Sequence, residues 1–327
     1  MTENNKPLTS DDQQEQSGAF SDALKASREK ADAEEAAAPA RTLWSDAWKR
    51  LKKNKLAVIG AVWIVFVVLV ALTADLWAPQ LLGSPTDIDT TTVAQSSKLP
   101  PSPEHPFGTD ATGRDQLVRV IYGSRVSLTV GVIATLISTG IGLVMGALAA
   151  FYGGWFDTII MRLADMFLAI PYTLFVITML AVMGQGIQNV FIAIGVLGWP
   201  SIARVFRSAI LSVKENDYVD AARAMGASDL RIIARHIFPN SVASIVVYAT
   251  MNIGGAILTE SALSYLGMGV TPPTPSWGIM IQDGQTFLQT QPWLMIMPGL
   301  AILSTVLAFT LLGDGLRDAL DVKMKDA

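Results

Sequence analysis

Few side chains in this sequence have the chemistry that a reaction would need. The chain has no cysteine, which excludes disulfides, thiolate catalysis and cysteine-bound metals. Its two histidines, His105 and His236, lie far apart in the sequence, which argues against a histidine metal cluster. A phosphate-binding loop of the form G-x-x-x-x-G-K-[ST] is also absent. With no candidate nucleophile or carboxylate pair, the sequence predicts neither an enzyme nor a cofactor site, and it indicates no nucleic-acid partner.

The polar groups best suited to contacting a small molecule lie in one apolar run near the carboxyl end. They are Asn252, Glu260 and Ser261. An acidic side chain in such a run is costly and usually faces protein or water. Glu260 is therefore either a packing residue near the end of the run or a contact for a bound molecule, and the sequence leaves both alternatives open.

A second candidate site is the polar segment 217–240, which separates two long apolar runs and has a helical pattern of its own. We expect a first helix that is capped by Asp217 and ended by Gly226, since glycine readily adopts the left-handed conformation that closes a helix. A second helix is expected to begin at Ser228 and to end at Pro239.

The first of these short helices carries small and apolar side chains on one face. The four that share it are Tyr218, Ala221, Ala222 and Met225. Small side chains on a short exposed helix suit docking into a groove of another protein. The alternative is that both helices pack beneath the chain's own bundle, and spacing alone favours neither.

The composition indicates that the chain is a membrane protein, so membrane helices are expected to position these sites. The 327 residues are 51% hydrophobic and only 16% charged, with a mean hydropathy of +0.40, whereas soluble domains have about 25% charged residues. Residues 1–40 differ from the rest, with nine acidic and four basic residues and almost no large apolar ones. Such a segment cannot bury enough surface to fold alone, so we expect a disordered acidic tail. A short helix or a partner-binding arm is the alternative there.

Six uncharged or nearly uncharged runs are long enough to cross a bilayer. We expect the fourth to be interrupted at Gly198-Trp199-Pro200. The expected spans are residues 56–74, 127–152, 158–183, 190–206, 241–264 and 293–312. The predicted organisation is a tail (1–40), an amphipathic segment with the first span (41–77), an external loop (78–125), a five-helix core (126–315) containing a cytoplasmic segment (211–240), and a second tail (316–327).

Basic residues predict the orientation of these spans, because clustered lysine and arginine resist translocation. Five basic residues lie at 49–55, just before the first span, and others lie at 204–240 and in the carboxyl tail, whereas 266–292 contains none. We therefore expect both termini to be cytoplasmic. Only Arg114, Arg119 and Arg125, in or beside the predicted external loop, run against the bias.

The segment 217–240 also resembles a known motif. Asp220-Ala221-Ala222, followed by Gly226 and then by Ile237-Phe238-Pro239, resembles the EAA motif of ABC importer membrane subunits. This chain departs from the motif by aspartate in place of glutamate at 220 and by phenylalanine before Pro239. Both changes keep the charge sign or the apolar character.

Three further blocks, in order, resemble the C-type permease subunit of dipeptide and oligopeptide importers. The blocks are the first span with its basic flank, residues 105–125, and residues 258–278. The resemblance covers about residues 44–320. It implies an all-α membrane protein with six transmembrane helices and the type I ABC importer permease fold, located in the cytoplasmic (inner) membrane among its lipids.

The resemblance also implies partners and sites. The chain would pair with a second, similar permease, receive di- or oligopeptides from an external binding protein, and be driven by two ATPase subunits. Nickel chelates, glutathione or other small solutes are alternative substrates, and a self-contained secondary transporter is an alternative class. Asn252, Glu260 and Ser261 would lie on the translocation path. The implied ATPase-coupling residues are Tyr218, Asp220, Ala221, Ala222, Met225, Gly226 and Ala227.

Overall fold

The computed structural model describes residues 43–88 and 93–320. The predicted disordered tail and the last seven residues therefore lie outside the described chain. Two compact units are present, and 47–327 form the larger one. Of the smaller unit, 1–46, only residues 43–46 are described, and they form the first turn of a helix.

Within the described residues, every regular secondary-structure element is a helix. The helices are α1 (Leu43–Lys53), α2 (Lys55–Leu82), α3 (Val93–Ser96), α4 (Gln116–Tyr152), α5 (Gly154–Ala169), α6 (Tyr172–Met183), α7 (Ile187–Lys214), α8 (Asp217–Ala224), α9 (Asp229–Ile232), the π-helical segment Ile233–Ile237, α10 (Phe238–Tyr265), α11 (Trp277–Gly284), a 3-10 turn (Gln285–Phe287) and α12 (Trp293–Leu320).

Five of these helices, α2, α4, α7, α10 and α12, are each long and apolar enough to cross a membrane. The pair α5 and α6 supplies the sixth span, but its two halves are bent by 89°. The third span, which was expected over 158–183, is therefore divided between two helices. Pro171 lacks an N–H group and disfavours helical geometry in the residue before it, so Ile170 is extended (φ −89°, ψ 132°).

The predicted interruption of the fourth span is wrong, because α7 runs without a break through Pro200. A proline inside a membrane helix removes one backbone hydrogen bond, and packing by neighbouring helices offsets the loss. Pro200 is buried, and so is Trp199, whose ring meets that of Phe167 edge-on with centroids 5.7 Å apart.

The centre of the bundle is the parallel pair α4 and α7. An added Cβ atom at Gly146 would lie 2.7 Å from the carbonyl oxygen of Ala203, and one at Gly142 would lie 2.7 Å from the Ile202 side chain. Glycine at these positions lets the two backbones approach closely, as the small residues four apart predict. Helix α10 runs antiparallel to α4, α12 packs on α10, and α2 packs on α12.

These directions give the bundle two distinct ends. At one end, which we call the loop end, lie residues 93–115 and α11, with Trp277 packed beside Val120. At the other, which we call the basic end, lie the segment 215–237 and the start of α2. The first, third and fifth connections between spans therefore lie at the loop end, and the second and fourth lie at the basic end. Six spans that alternate in direction require this arrangement.

Candidate functional site

The candidate coupling segment, residues 215–237, begins between the end of α7 and the start of α8. The side-chain amide of Asn216 donates to the carbonyl oxygens of Ser212 (3.2 Å) and Val213 (2.9 Å), and so closes the last turn of α7. Asn216 is also the N-cap residue of α8, so the prediction of Asp217 as the cap is wrong. Asp217 lies instead in the first turn of α8, where its negative charge interacts favourably with the helix dipole.

The end of α8 agrees with the predicted stop at Gly226. This glycine has φ +81°, and its N–H donates to the carbonyl of Arg223 at 3.0 Å. The next N–H, from Ala227, donates to the carbonyl of Ala222 at 3.1 Å. These two bonds form a Schellman motif, which satisfies carbonyl groups that the helix end would otherwise leave without partners.

One face of α8 packs on the chain's own bundle. Val219 is fully buried and Ala222 is only 4% exposed. Both contact a cluster of large apolar side chains, which includes Ile210 of α7 and Ile237 of the π-helical segment. Because Ala222 lies inside this cluster, a charged residue there would disturb the fold as well as any external contact.

The opposite face of α8 is open to the surrounding solvent. Met225 is 82% exposed and Tyr218 is 43% exposed, and Ala221 lies between them on the same face. Asp220 is exposed beside this face and forms a 3.3 Å ion pair with Arg223. The packing alternative therefore holds for one face of this helix, and docking of another protein on the other face stays a prediction. We call Tyr218, Ala221 and Met225 the open face.

The second short helix does not end at Pro239 as predicted. Helix α9 passes into the π-helical segment, and α10 begins at Phe238, whose N–H donates to the carbonyl of Ile233. Pro239 thus lies in the first turn of α10, directly after the π-helical segment, and not at the end of a helix. No loop separates the coupling segment from the fifth span.

Two basic side chains hold together the helices next to this segment, through contacts that the sequence did not reveal. The ammonium group of Lys214 donates to the carbonyl oxygens of Ala150 (3.3 Å) and Phe151 (2.8 Å). The guanidinium of Arg207 binds both oxygens of Asp157, at 2.5 and 2.6 Å, which joins α7 to α5. Positive charge near 204–214 indicated orientation only, and spacing gave no signal for these partners.

Asn252 lies on a cleft between α7, α10 and the bend of the third span. The cleft has a volume of about 260 Å³ and a mostly apolar lining, which includes Leu168 and Ile194, with a few polar side chains such as Tyr172 and Ser201. The Asn252 amide nitrogen donates long hydrogen bonds of 3.5 Å to the hydroxyl oxygens of two buried α4 residues, Thr135 and Ser138. The place of Asn252 on the translocation path stays a prediction.

Glu260 and Ser261 lie away from this cleft, near the loop end. The Glu260 side chain is fully buried, and Ser261 is nearly so. The Glu260 carboxylate accepts hydrogen bonds from Ser127 (3.0 Å) and Ser264 (2.7 Å). Within the described chain its contacts are internal, which supports the packing alternative over direct contact with a transported molecule.

The three arginines that run against the orientation bias are each paired with a carboxylate. Arg125 binds Asp75, Arg114 binds Asp110 at 2.7 Å, and Arg119 binds Asp110 at 2.5 Å. Pairing lowers the cost of placing these cations at the loop end. Arg119 also lies 3.4 Å from Asp283, which is in the last turn of α11.

Burial and charge act in opposite directions on Asp110. Burial alone would raise the pKa of its carboxyl, but the positive charges of Arg119 and Arg114, a hydrogen bond from Thr112 and one from the Arg114 backbone outweigh it. The pKa of Asp110 is therefore held below the ordinary value. The carboxylate is a fixed part of the loop end.

Comparison with known proteins shows which family the chain matches. Residues 141–326 match the family model described as "Binding-protein-dependent transport system inner membrane component". Residues 42–101 match the model described as "N-terminal TM domain of oligopeptide transport permease C".

Two curated relatives match over most of their length. The dipeptide transport system permease protein DppC of Alkalihalophilus pseudofirmus is 44% identical over 283 residues, which cover 86% of this chain and 90% of that protein. The glutathione transport system permease protein GsiD of Escherichia coli is 42% identical over 285 residues, covering 87% and 92%.

The fold also matches a solved structure, the inward-facing MetNI methionine ABC transporter. The TM-score is 0.52 with 21% identity, over 63% of this chain and 96% of the other. At that identity the likeness shows the fold, which is the type I importer permease fold. The chain belongs to the family of binding-protein-dependent transport system inner membrane components, the permease subunits of ABC importers.

Proposed function

We propose that this chain is the permease subunit through which short peptides cross the inner membrane, and that ATPase subunits drive it by docking on α8. The observation that carries the proposal is the division of α8 into two faces. One face, with Val219 and Ala222, is anchored in the bundle, and the open face presents an 82% exposed methionine. A partner bound to the open face would move the anchored face, and with it the spans.

The orientation follows from the charges at the basic end. The five basic residues at 49–55 and those at 204–240 all lie at this end, so we place it in the cytoplasm with both chain termini. The open face then meets cytoplasmic ATPase subunits. The loop end faces outward, toward the external binding protein.

The cleft supports pairing with a second, similar permease. It is a recess on the outside of the membrane-spanning helices, and Asn252, Tyr172 and Thr259, whose polar groups hydrogen-bond within the chain, lie along it. A partner permease would cover this face and enclose the cleft between the two subunits. The proposed assembly is a permease heterodimer with two ATPase subunits.

The substrate proposal is a small peptide. The two relatives above are named for dipeptide and for glutathione, which is itself a tripeptide. The side chains that line the cleft are uncharged. Such a surface suits hydrogen bonding to peptide groups of varied sequence and would release its cargo readily.

The test introduces charge on the open face without disturbing the anchored one. We expect the double variant Ala221→Asp, Met225→Asp to insert normally, to lose co-purification of the ATPase subunits, and to abolish uptake of labelled dialanine. Ser228→Asp, at another exposed position of the same segment but outside the open face, is the control and should behave as wild type. Normal recovery of ATPase subunits with the double variant would refute the proposed docking site.

A further inference from the structure

A second recess lies next to the cleft, toward the basic end of the bundle. Its volume is about 480 Å³, and α7, α10 and α12 each contribute to its lining, for example with Val205, Ser244 and Arg317. We call this recess the inner cavity. Tyr248 of α10 lines both the inner cavity and the cleft, so the two recesses meet on one face of the chain.

A polar stripe on α10 runs along both recesses. Ser244 and Tyr248 line the inner cavity, and Asn252 and Thr259 line the cleft. Residues four or seven apart lie on one face of a helix, and the stripe is about 22 Å long at 1.5 Å per residue. Within the described residues, the hydroxyl groups of Ser244 and Tyr248 make no hydrogen bond. They are therefore open to a molecule in the inner cavity.

Among the described residues, Arg317 is the only charged one that lines either recess. It lies in the last turn of α12, and its side chain is exposed. A cation there interacts favourably with the helix dipole, but that effect does not require the side chain to border a cavity. Its neighbours Asp314 and Asp318 line neither recess, and Arg317 forms no ion pair with any described residue. Its N–H donors are therefore available at the inner cavity.

The chemistry of these groups fits the carboxyl end of a short peptide. A guanidinium donates two parallel hydrogen bonds to a carboxylate, and hydroxyl groups pair with the N–H and C=O of peptide bonds. The volume of the inner cavity lies within the range of about 300–1,000 Å³ that is usual for small-molecule sites. A lipid phosphate would also pair with Arg317, but its acyl chains would leave the hydroxyls of Ser244 and Tyr248 without partners, which is costly. The polar stripe therefore favours a peptide.

We propose that the inner cavity binds the transported peptide at the basic end, with Arg317 holding the terminal carboxylate and with Ser244 and Tyr248 holding the peptide groups. The inference rests on the proposed function, in which a short peptide passes along this face of the chain. The cleft has an uncharged lining, so a peptide that moves from the cleft toward the basic end meets its first fixed charge on this chain at Arg317. A free carboxylate is then the feature that the site recognises.

The experiment uses the purified complex of permease and ATPase subunits in detergent, without ATP and without the binding protein, so that the peptide meets only the transport complex. Binding of dialanine and of dialanine amide, which lacks the carboxylate, is measured by saturation-transfer NMR. The variants are Arg317→Gln and Arg317→Lys. Arg162→Gln is the matched control, because Arg162 is a 78% exposed arginine on α5 that lines neither recess. Co-purification of the ATPase subunits checks that each variant assembles.

We expect wild type and Arg162→Gln to bind dialanine about 10-fold more tightly than its amide, as a hydrogen bond between charged groups provides. Arg317→Gln should lose this preference, and Arg317→Lys should keep part of it, because lysine retains the charge without the bidentate geometry.

Three results would overturn the inference: undetectable binding of dialanine to wild type, equal binding of the two probes, or an unchanged preference in Arg317→Gln. Equal binding is also the result expected if a lipid phosphate occupies Arg317. The proposed function is tested separately, by ATP-driven uptake of dialanine into vesicles that contain the complete wild-type importer. Absence of that uptake would contradict the proposed function and leave the binding comparison, which uses no ATP, to decide the inference.

Discussion

The ammonium group of Lys214 lies 2.8 Å from the carbonyl oxygen of Phe151, so the last residue of α7 closes the last turn of α4. A cation is favoured at the carboxyl end of a helix, where carbonyl groups lack partners. The contact lies beside the coupling segment. It fixes the two central helices to each other where α8 departs from them.

We predict that Lys214→Met lowers stability by about 1 kcal/mol, since it keeps the apolar stem but removes the charge from the helix end. The expected fall in the unfolding midpoint of the detergent-solubilised protein is about 2–4 °C. Lys49→Met, at an exposed position before the last turn of α1, is the control and should leave the midpoint unchanged. An unchanged midpoint for Lys214→Met would show that the contact contributes nothing.

Gly226 supports a second prediction, because φ +81° is costly for a residue with a side chain. Gly226→Val should misplace the end of α8 and reduce ATPase co-purification and peptide uptake together. Gly226→Asn should retain most of both activities, since asparagine tolerates the left-handed conformation. Equal loss in the two variants would point to lost contact with the partner rather than to backbone geometry.

The close approach of α4 and α7 gives a third prediction. Gly146→Ala places a methyl group 2.7 Å from the carbonyl oxygen of Ala203, so the two helices must separate. We expect a stability loss of about 1–3 kcal/mol, the usual cost of overpacking. Gly140→Ala is the matched control, because nothing lies within 4 Å of an added Cβ there. Retention of wild-type stability by Gly146→Ala would contradict the close packing.

The loop end supplies a prediction for pH. Because the folded pKa of Asp110 is lowered, its contribution to stability is complete above the ordinary aspartate pKa of about 3.9 and is lost as pH falls through the lower folded value. The unfolding midpoint of wild type should therefore exceed that of Asp110→Asn at pH 7. The difference should shrink as the pH is lowered below about 4.

Other carboxyl groups titrate in the same pH range. Their effect is shared by wild type and Asp110→Asn, so it cancels when one unfolding midpoint is subtracted from the other at each pH. A difference that stays constant from pH 7 to pH 3 would show that Asp110 is not held as a carboxylate by Arg119 and Arg114. Arg119→Gln should behave like Asp110→Asn, since Arg119 provides the larger of the two charges' effects.

The sequence predicted the six spans and the stop at Gly226, because both depend on local composition or on one residue's backbone freedom. It failed at the prolines, which have opposite outcomes at two sites. Pro171 breaks the third span, whereas Pro200 lies in an unbroken helix. Pro239 starts a helix that it was expected to end. The difference lies in how neighbouring helices pack at each site.

The candidate sites show the same limit. Helical spacing identified the surface of α8 but could not tell that Ala222 faces inward, because the side chains it packs against belong to other helices whose placement spacing does not give. For Glu260, only Ser264 lies one turn away on the same helix. Ser127 is 133 residues distant and donates to the same carboxylate, a relationship that spacing could not reveal.

The right-angled corner at Ile170–Pro171 has a mechanical consequence. A membrane segment cut by such an elbow has two axes instead of one, so its halves pack in different clusters, Ala164 with Trp199 and Val176 with Val130. Tyr172, at the elbow, donates its hydroxyl to the carbonyl of Ile194 at 3.0 Å and also borders the cleft. The corner therefore sets the position of one wall of the cleft.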